Sequence, residues 1–202
     1  TAASLDTLWA QAGIAKPDAV LSGATGVAPV TSEEAVALAR LAPGAPVVRV
    51  MPNTPAAVGH GAMVMCANPS VTDRQLAAVR QLMAASGEVT EIADEALMDA
   101  VTAVSGSGPA YVFHLIEALS EAGRAVGLPD EIAGRLAMQT VFGAAAYARE
   151  SADDPGTLRE QVTSPNGTTA AALDVLMRPG GLAALIGEAV TAARDRAVEL
   201  GR

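Results

Sequence analysis

Three short stretches of this chain combine hydroxyls, glycines and helix starts in the way that small-anion chemistry requires. Ser105-Gly106-Ser107-Gly108-Pro109 reads as a glycine-rich loop opening a helix. Unpaired amides and the positive end of a helix let such a loop hold an anion. The same residues read equally as a capped helix start whose glycines let helices approach closely. No Gly-Lys-Ser/Thr follows, so this is not a P-loop. Thr163-Ser164-Pro165-Asn166-Gly167-Thr168-Thr169 also precedes a helix. Pro165-Asn166-Gly167 is a turn signal, and the flanking hydroxyls can either cap the helix or donate to a ligand. Met51-Pro52-Asn53-Thr54-Pro55 follows a strand end, where open α/β sheets bind ligands. Its two prolines serve equally as structural punctuation.

Other chemistries find little support. His60 and His114 are far apart and have no Cys or carboxylate partners at metal-ligand spacing, so no metal site is expected. Cys66 lies in an apolar strand-like segment and reads as a core thiol. His114 lies beside an apolar helical stripe, and Asp153-Asp154 reads as a solvated turn. No Ser-His-Asp grouping is suggested, and no Gly-x-Gly-x-x-Gly opens a βαβ unit.

The elements that must position these stretches fall into two halves. In the first, helices read over 3–13 and 33–41, the latter capped by Thr31 or Ser32. Strands read at 19–22, 47–50, 62–67 and 89–92, and Thr72 caps a helix over 73–85. Strands separated by helices predict a mostly parallel α/β sheet. The second half is expected to be entirely helical. One helix runs from Pro109 to Gly127, with Val112, Leu115, Ile116 and Leu119 at helical spacing. A second starts at Pro129 and ends near Tyr147, and Asp153-Asp154-Pro155-Gly156 breaks the chain. Helices follow at 157–162, 168–177 and 182–199, and the boundary between halves is placed near Asp94–Asp99.

Composition narrows the function. Half of the 202 residues are hydrophobic, yet aromatics are 2%, so the interior must be built from small and aliphatic side chains that suit close helix packing. Net charge is −9, which disfavours nucleic acid. A single cysteine excludes an intrachain disulfide and fits a reducing compartment. No apolar run approaches 18 residues and no basic-then-apolar leader opens the chain, so a soluble cytoplasmic protein without membrane contact is expected.

Taken in order, the stretches resemble the pyrroline-5-carboxylate reductases. The likeness rests on Val47–Pro55, on Ala96–Tyr111, on Ala137-Met138-Gln139-Thr140 and on Val162–Thr169. Together the four are specific, and the likeness is densest from residue 46 onward. It implies a fold in two parts: an α/β partial Rossmann-like domain over 1–95, its N-terminal half missing, then an all-α helical dimerisation and substrate-binding domain over 96–202. It implies hydride transfer from NADP or NAD, in reduced form, to the C=N carbon of 1-pyrroline-5-carboxylate, giving proline. It implies a homo-oligomer, a dimer or an assembly of dimers. Thr169 becomes the catalytic candidate, a hydroxyl donor to the imine nitrogen. Gly167 and Thr168 would offer amides to the substrate carboxylate, with Val162, Thr163 and Ser164 bordering the pocket. Ala24 and Thr25, then Met51, Asn53, Thr54 and Pro55, would lie beside the cofactor. Where the family has Gly-Gly after Ser-Pro, this chain has Asn166-Gly167, and asparagine tolerates a left-handed backbone.

A different reading within the resemblance is a catalytically inactive dimerisation module, since the glycine-rich pyrophosphate turn is absent from these residues. On that ground the chain by itself is expected to bind reduced dinucleotide weakly. A hydroxyacid dehydrogenase is disfavoured, because those enzymes use a lysine in the helical domain and the sole lysine here is Lys16, in the α/β part.

Overall fold

The computed structural model describes residues 20–23 and 44–201. The helices read over 3–13 and 33–41 and the cofactor candidates Ala24 and Thr25 lie outside the described residues. Among the described residues four strands form one sheet in the order β1 (Val20–Gly23), β2 (Val47–Met51), β3 (Gly61–Ala67) and β4 (Gly87–Glu91). β1 pairs parallel with β2, and β3 parallel with β4, whereas β2 and β3 run antiparallel with Val50 opposite Met65. The sheet is therefore mixed. Its antiparallel pair follows from chain length. Residues 52–60 hold a 3-10 turn at Thr54–Val58 and are too few for a parallel crossover, which needs a dozen or more. Helix α1 (Asp73–Ala84) is long enough to return β4 parallel to β3.

The period-two geometry of the strands sorts the core into two layers. Val48, Val50 and Met65 form one buried cluster, covered by Leu76, Val79 and Met83 of α1. Met51 and Cys66 face the other way and pack with Met98, Ile92 and Val101. With both faces covered, β3 can be an unbroken apolar run, Gly-Ala-Met-Val-Met-Cys-Ala. Gly61 and Gly87 meet at the start of the β3–β4 pair. A Cβ on Gly87 would overlap the Gly61 backbone, and its φ of +155° suits glycine as well. At α1 the expected Thr72 cap is a full capping box. Gln75 N–H donates to the Thr72 hydroxyl, and Thr72 N–H donates to the Gln75 side chain at 2.9 Å.

After β4 the chain is helical: α2 (Met98–Val101), α3 (Gly108–Ala125), α4 (Asp130–Glu150), α5 (Pro155–Gln161), α6 (Thr168–Leu176) and α7 (Leu182–Leu200). Two details differ from the sequence reading. Ser105–Pro109 is not an open loop, because Thr102–Gly106 forms a π-helical turn that joins α2 to α3 almost without a break. The Ser107 amide reaches back five residues to the Thr102 carbonyl at 2.8 Å. The break expected at 153–156 falls at 151–154, and Pro155 starts the following helix two residues earlier than read. Proline suits the first helical position because its missing N–H has no partner there, and Asp154 caps the amides of Gly156 and Thr157.

The chain divides into two compact units, residues 1–109 with 190–202 and residues 110–189. The second is thinly filled. α3 and α4 approach through small residues, with Ala133 packed near Gly123 and with Ser120, Ala133 and Ala137 buried. Arg124 braces the hairpin between them, donating to the Ser120 hydroxyl at 3.1 Å and to Asp130 at 2.7 Å. The large apolar side chains point outward instead: Phe113, Leu136, Phe142, Leu185 and Ile186 are all exposed.

Candidate functional site

The candidate residues fall into one group in each unit. In the first unit, β2 delivers its last residue, Met51, into the core at 3% exposure, between Cys66 and Met98. Its side chain is fully occupied there, which leaves its backbone as the part that can meet a ligand. Asn53 is half-buried and bonded at both ends of its carboxamide. Nδ2 donates to the Ser105 carbonyl at 3.1 Å, and Oδ1 accepts from Ala62 N–H at 2.9 Å. Thr54 is exposed, and Pro52 and Pro55 are half-buried beside it. The structure thus brings the Met51–Pro55 stretch up against the Ser105–Pro109 stretch. Arg49 adds a second tie between the sheet and the segment before α2, through Nη1 to Glu95 at 3.0 Å. Cys66 lies opposite Arg49 in the strand register. Burial pushes its thiol above the ordinary cysteine value and nearby Glu95 adds to this, with Arg49 opposing, so the thiol stays protonated and inert.

In the second unit, α5 ends at Gln161 and α6 begins at Thr168, and the residues between them form a tight turn. Gly167 N–H donates to the Ser164 carbonyl at 3.0 Å, with Pro165 and Asn166 as the central pair. Asn166 has φ 58° and is the one non-glycine residue with positive φ among those described. A positive φ at the second central position is what a type II turn demands, and asparagine meets it at small cost. Gly167 is required for space, because a Cβ there would meet the Ser164 hydroxyl and come within 3.1 Å of the Ser164 carbonyl.

This turn redistributes the roles expected of its members. The Gly167 amide already serves the turn, so it is not free for a carboxylate. The amides of Thr168, Thr169 and Ala170 open α6, and no side chain caps them. The Thr163 hydroxyl donates to the Arg159 carbonyl at 2.6 Å and closes the end of α5. Val162 and Ser164 are exposed, and Thr169 is half-buried. No hydrogen bond engages the Thr169 hydroxyl among the described residues. An unpaired hydroxyl beside open amides at a helix start can receive an anion together with a polar atom next to it. The group that the sequence reading missed is the Ser105 carbonyl. The signal was present: Pro109, four residues on, cannot give it a helical donor.

A concavity of ≈ 590 Å³ lies along α4, lined by Ile132, Gly134, Arg135, Leu136, Met138 and Gln139. Among the described residues no cluster of His, Cys, Asp and Glu could hold a metal, and no helix is long and apolar enough to cross a membrane.

Residues 95–200 match the family described as pyrroline-5-carboxylate reductase dimerisation. The chain belongs to the pyrroline-5-carboxylate reductase family. It carries that family's dimerisation domain, preceded by a small mixed sheet. A pyrroline-5-carboxylate reductase from Synechocystis is 48% identical over 170 residues, covering 83% of this chain and 63% of that relative. The chain thus spans less than two thirds of that reductase. The solved pyrroline-5-carboxylate reductase of Coxiella burnetii superposes with a TM-score of 0.82 at 34% identity, covering 98% of this chain and 86% of that one. A pyrroline carboxylate reductase of Plasmodium falciparum, solved with NADP bound, gives a TM-score of 0.74 at 33% identity over 83% of this chain and 67% of that one.

Proposed function

We propose that these residues act first as the dimerisation module of a pyrroline-5-carboxylate reductase, pairing with a second copy of the same chain. The observation that carries this reading is the outward-facing apolar surface of a domain matched to reductase dimerisation. Leu136, Met138 and Phe142 of α4 are exposed at 51%, 55% and 60%. A second copy would bury them, and stable interfaces typically bury about 800 Å² per partner. The concavity beside Leu136 is the proposed seat for a partner side chain. Because Leu136 is exposed in the single chain, Leu136→Glu leaves the monomer's own packing alone and opposes only association. The expected outcome is a folded monomer by light scattering with an unchanged helical spectrum. A dimer that tolerates the glutamate contradicts the reading.

A second reading, reduction of 1-pyrroline-5-carboxylate to proline, is favoured by the turn and helix start at 164–170. The open amides of Thr168 and Thr169 would bind the substrate carboxylate, aided by the positive end of α6. The Thr169 hydroxyl would hydrogen-bond the ring nitrogen and hold the C=N carbon toward the hydride donor. Little acid–base machinery is needed, since a protonated imine is already electrophilic and orientation does most of the work. The sheet is proposed as the C-terminal part of a Rossmann-like domain, and the end of β2 fits one end of NADP or NAD. Thr54 is exposed there, on a loop stiffened by two prolines and held by Asn53. When bound, the reduced nicotinamide supplies the hydride. Proline synthesis and a cytoplasmic site of action belong to this second reading.

A further inference from the structure

Asn53 was expected beside the cofactor, yet both ends of its carboxamide face protein groups. We propose that Asn53 is a positioning residue whose side chain ties the loop after β2 to the π-helical turn at 102–106, so that the two move as one. The tie answers a local deficit in hydrogen bonding. In a regular helix the Ser105 carbonyl would accept from residue 109, but that residue is Pro109, which has no N–H. Asn53 Nδ2 supplies the missing donor at 3.1 Å. Its Oδ1 accepts from Ala62 N–H at 2.9 Å, next to the last β2–β3 pair, Met51 with Val64. One partner is an acceptor and the other a donor, so the amide has a single workable orientation. Met51 packs on Met98 within two residues of Asn53, which gives the tie an apolar footing. The functional consequence rests on the reductase reading: the tied loop is the one proposed to face the cofactor, and its position would set where the hydride donor sits.

Hydrogen exchange by mass spectrometry tests the tie without depending on activity. Asn53→Asp keeps the acceptor for Ala62 and removes the donor to Ser105, and Asn53→Ala removes both without adding a charge. Either substitution should raise exchange in 102–109, and Asn53→Ala should raise it in 51–62 as well, by roughly five- to thirtyfold. Pro109→Ala restores an N–H four residues after Ser105. In that background Asn53→Asp should leave exchange in 102–109 close to that of Pro109→Ala alone. Should Asn53→Asp fail to fold, Asn53→Ala decides by the same segments. Exchange in 102–109 at the parent rate in Asn53→Ala, or an Asn53→Asp effect undiminished by Pro109→Ala, overturns the proposal. Turnover measured alongside separates the two ideas. A reductase that contains these residues and shows no turnover counts against the reductase reading, while the exchange pattern still judges the tie.

Discussion

Thr169 and Thr163 are both threonines six residues apart, and their surroundings separate them. The Thr163 hydroxyl is committed to the Arg159 carbonyl, whereas that of Thr169 is half-buried and unbonded among the described residues. Sequence reading singled out both, but could not tell a hydroxyl that closes a helix from one left open, because each follows from backbone geometry several residues away. Asn166 shows the opposite case. Its left-handed backbone was legible from residue type, and the turn forms with φ 58°. In a reductase that contains these residues, Thr169→Val keeps the shape of the side chain and removes its hydroxyl. Turnover should fall about ten- to a hundredfold, with the fold and dinucleotide affinity nearly unchanged. Thr163→Val should instead cost stability, about 0.5–1.5 kcal/mol for one neutral hydrogen bond. Steady-state kinetics and thermal melts on the two variants check the division, and equal kinetic losses would erase it.

At the scale of elements, most helix limits were legible because their punctuation is chemical. Thr72, Pro129 and Gly127 mark ends that the structure reproduces within a residue or two. The exceptions have physical causes. The chain does break before Asp154, but α5 starts two residues earlier than read, because proline is well tolerated in a first turn. The π-helical turn was hidden because glycines 106 and 108 look like a loop, while the Thr102 and Ser105 hydroxyls bond back to the Met98 and Val101 carbonyls and keep the helix turning. The antiparallel β2–β3 pair is set by the length of residues 52–60, which strand propensity does not weigh.

The cap of α5 yields a prediction in pH. A hydrogen bond from the Thr157 hydroxyl, with the amides of Thr157 and Gly156, holds the Asp154 carboxyl below its ordinary value. A folded value below the unfolded one means that the cap stabilises above the ordinary aspartate range, about pH 3.9, and is lost as pH falls through the folded value. The Gly156 and Thr157 amide signals should therefore broaden or shift together at acid pH before the rest of α5 melts. Asp154→Asn, which caps without ionising, should abolish that pH dependence while keeping the helix.

At the scale of the whole molecule, composition pointed to close packing of helices. With 2% aromatics the interior must be small and aliphatic residues, and α3 and α4 do approach through glycine, alanine and serine. What composition did not show is the consequence in the helical unit: small residues line the α3–α4 contact, and Phe113, Leu136 and Phe142 are left outside. Leu182, Leu185 and Ile186 of α7 are exposed, whereas Val190 on the same stripe is half-buried. The measurement that bears most directly on this account is sedimentation velocity of the parent chain across a micromolar concentration series. The account predicts a dimer, or an even-numbered assembly, persisting on dilution until subunits separate cooperatively. A single well-folded 20.2 kDa species throughout that range would contradict it.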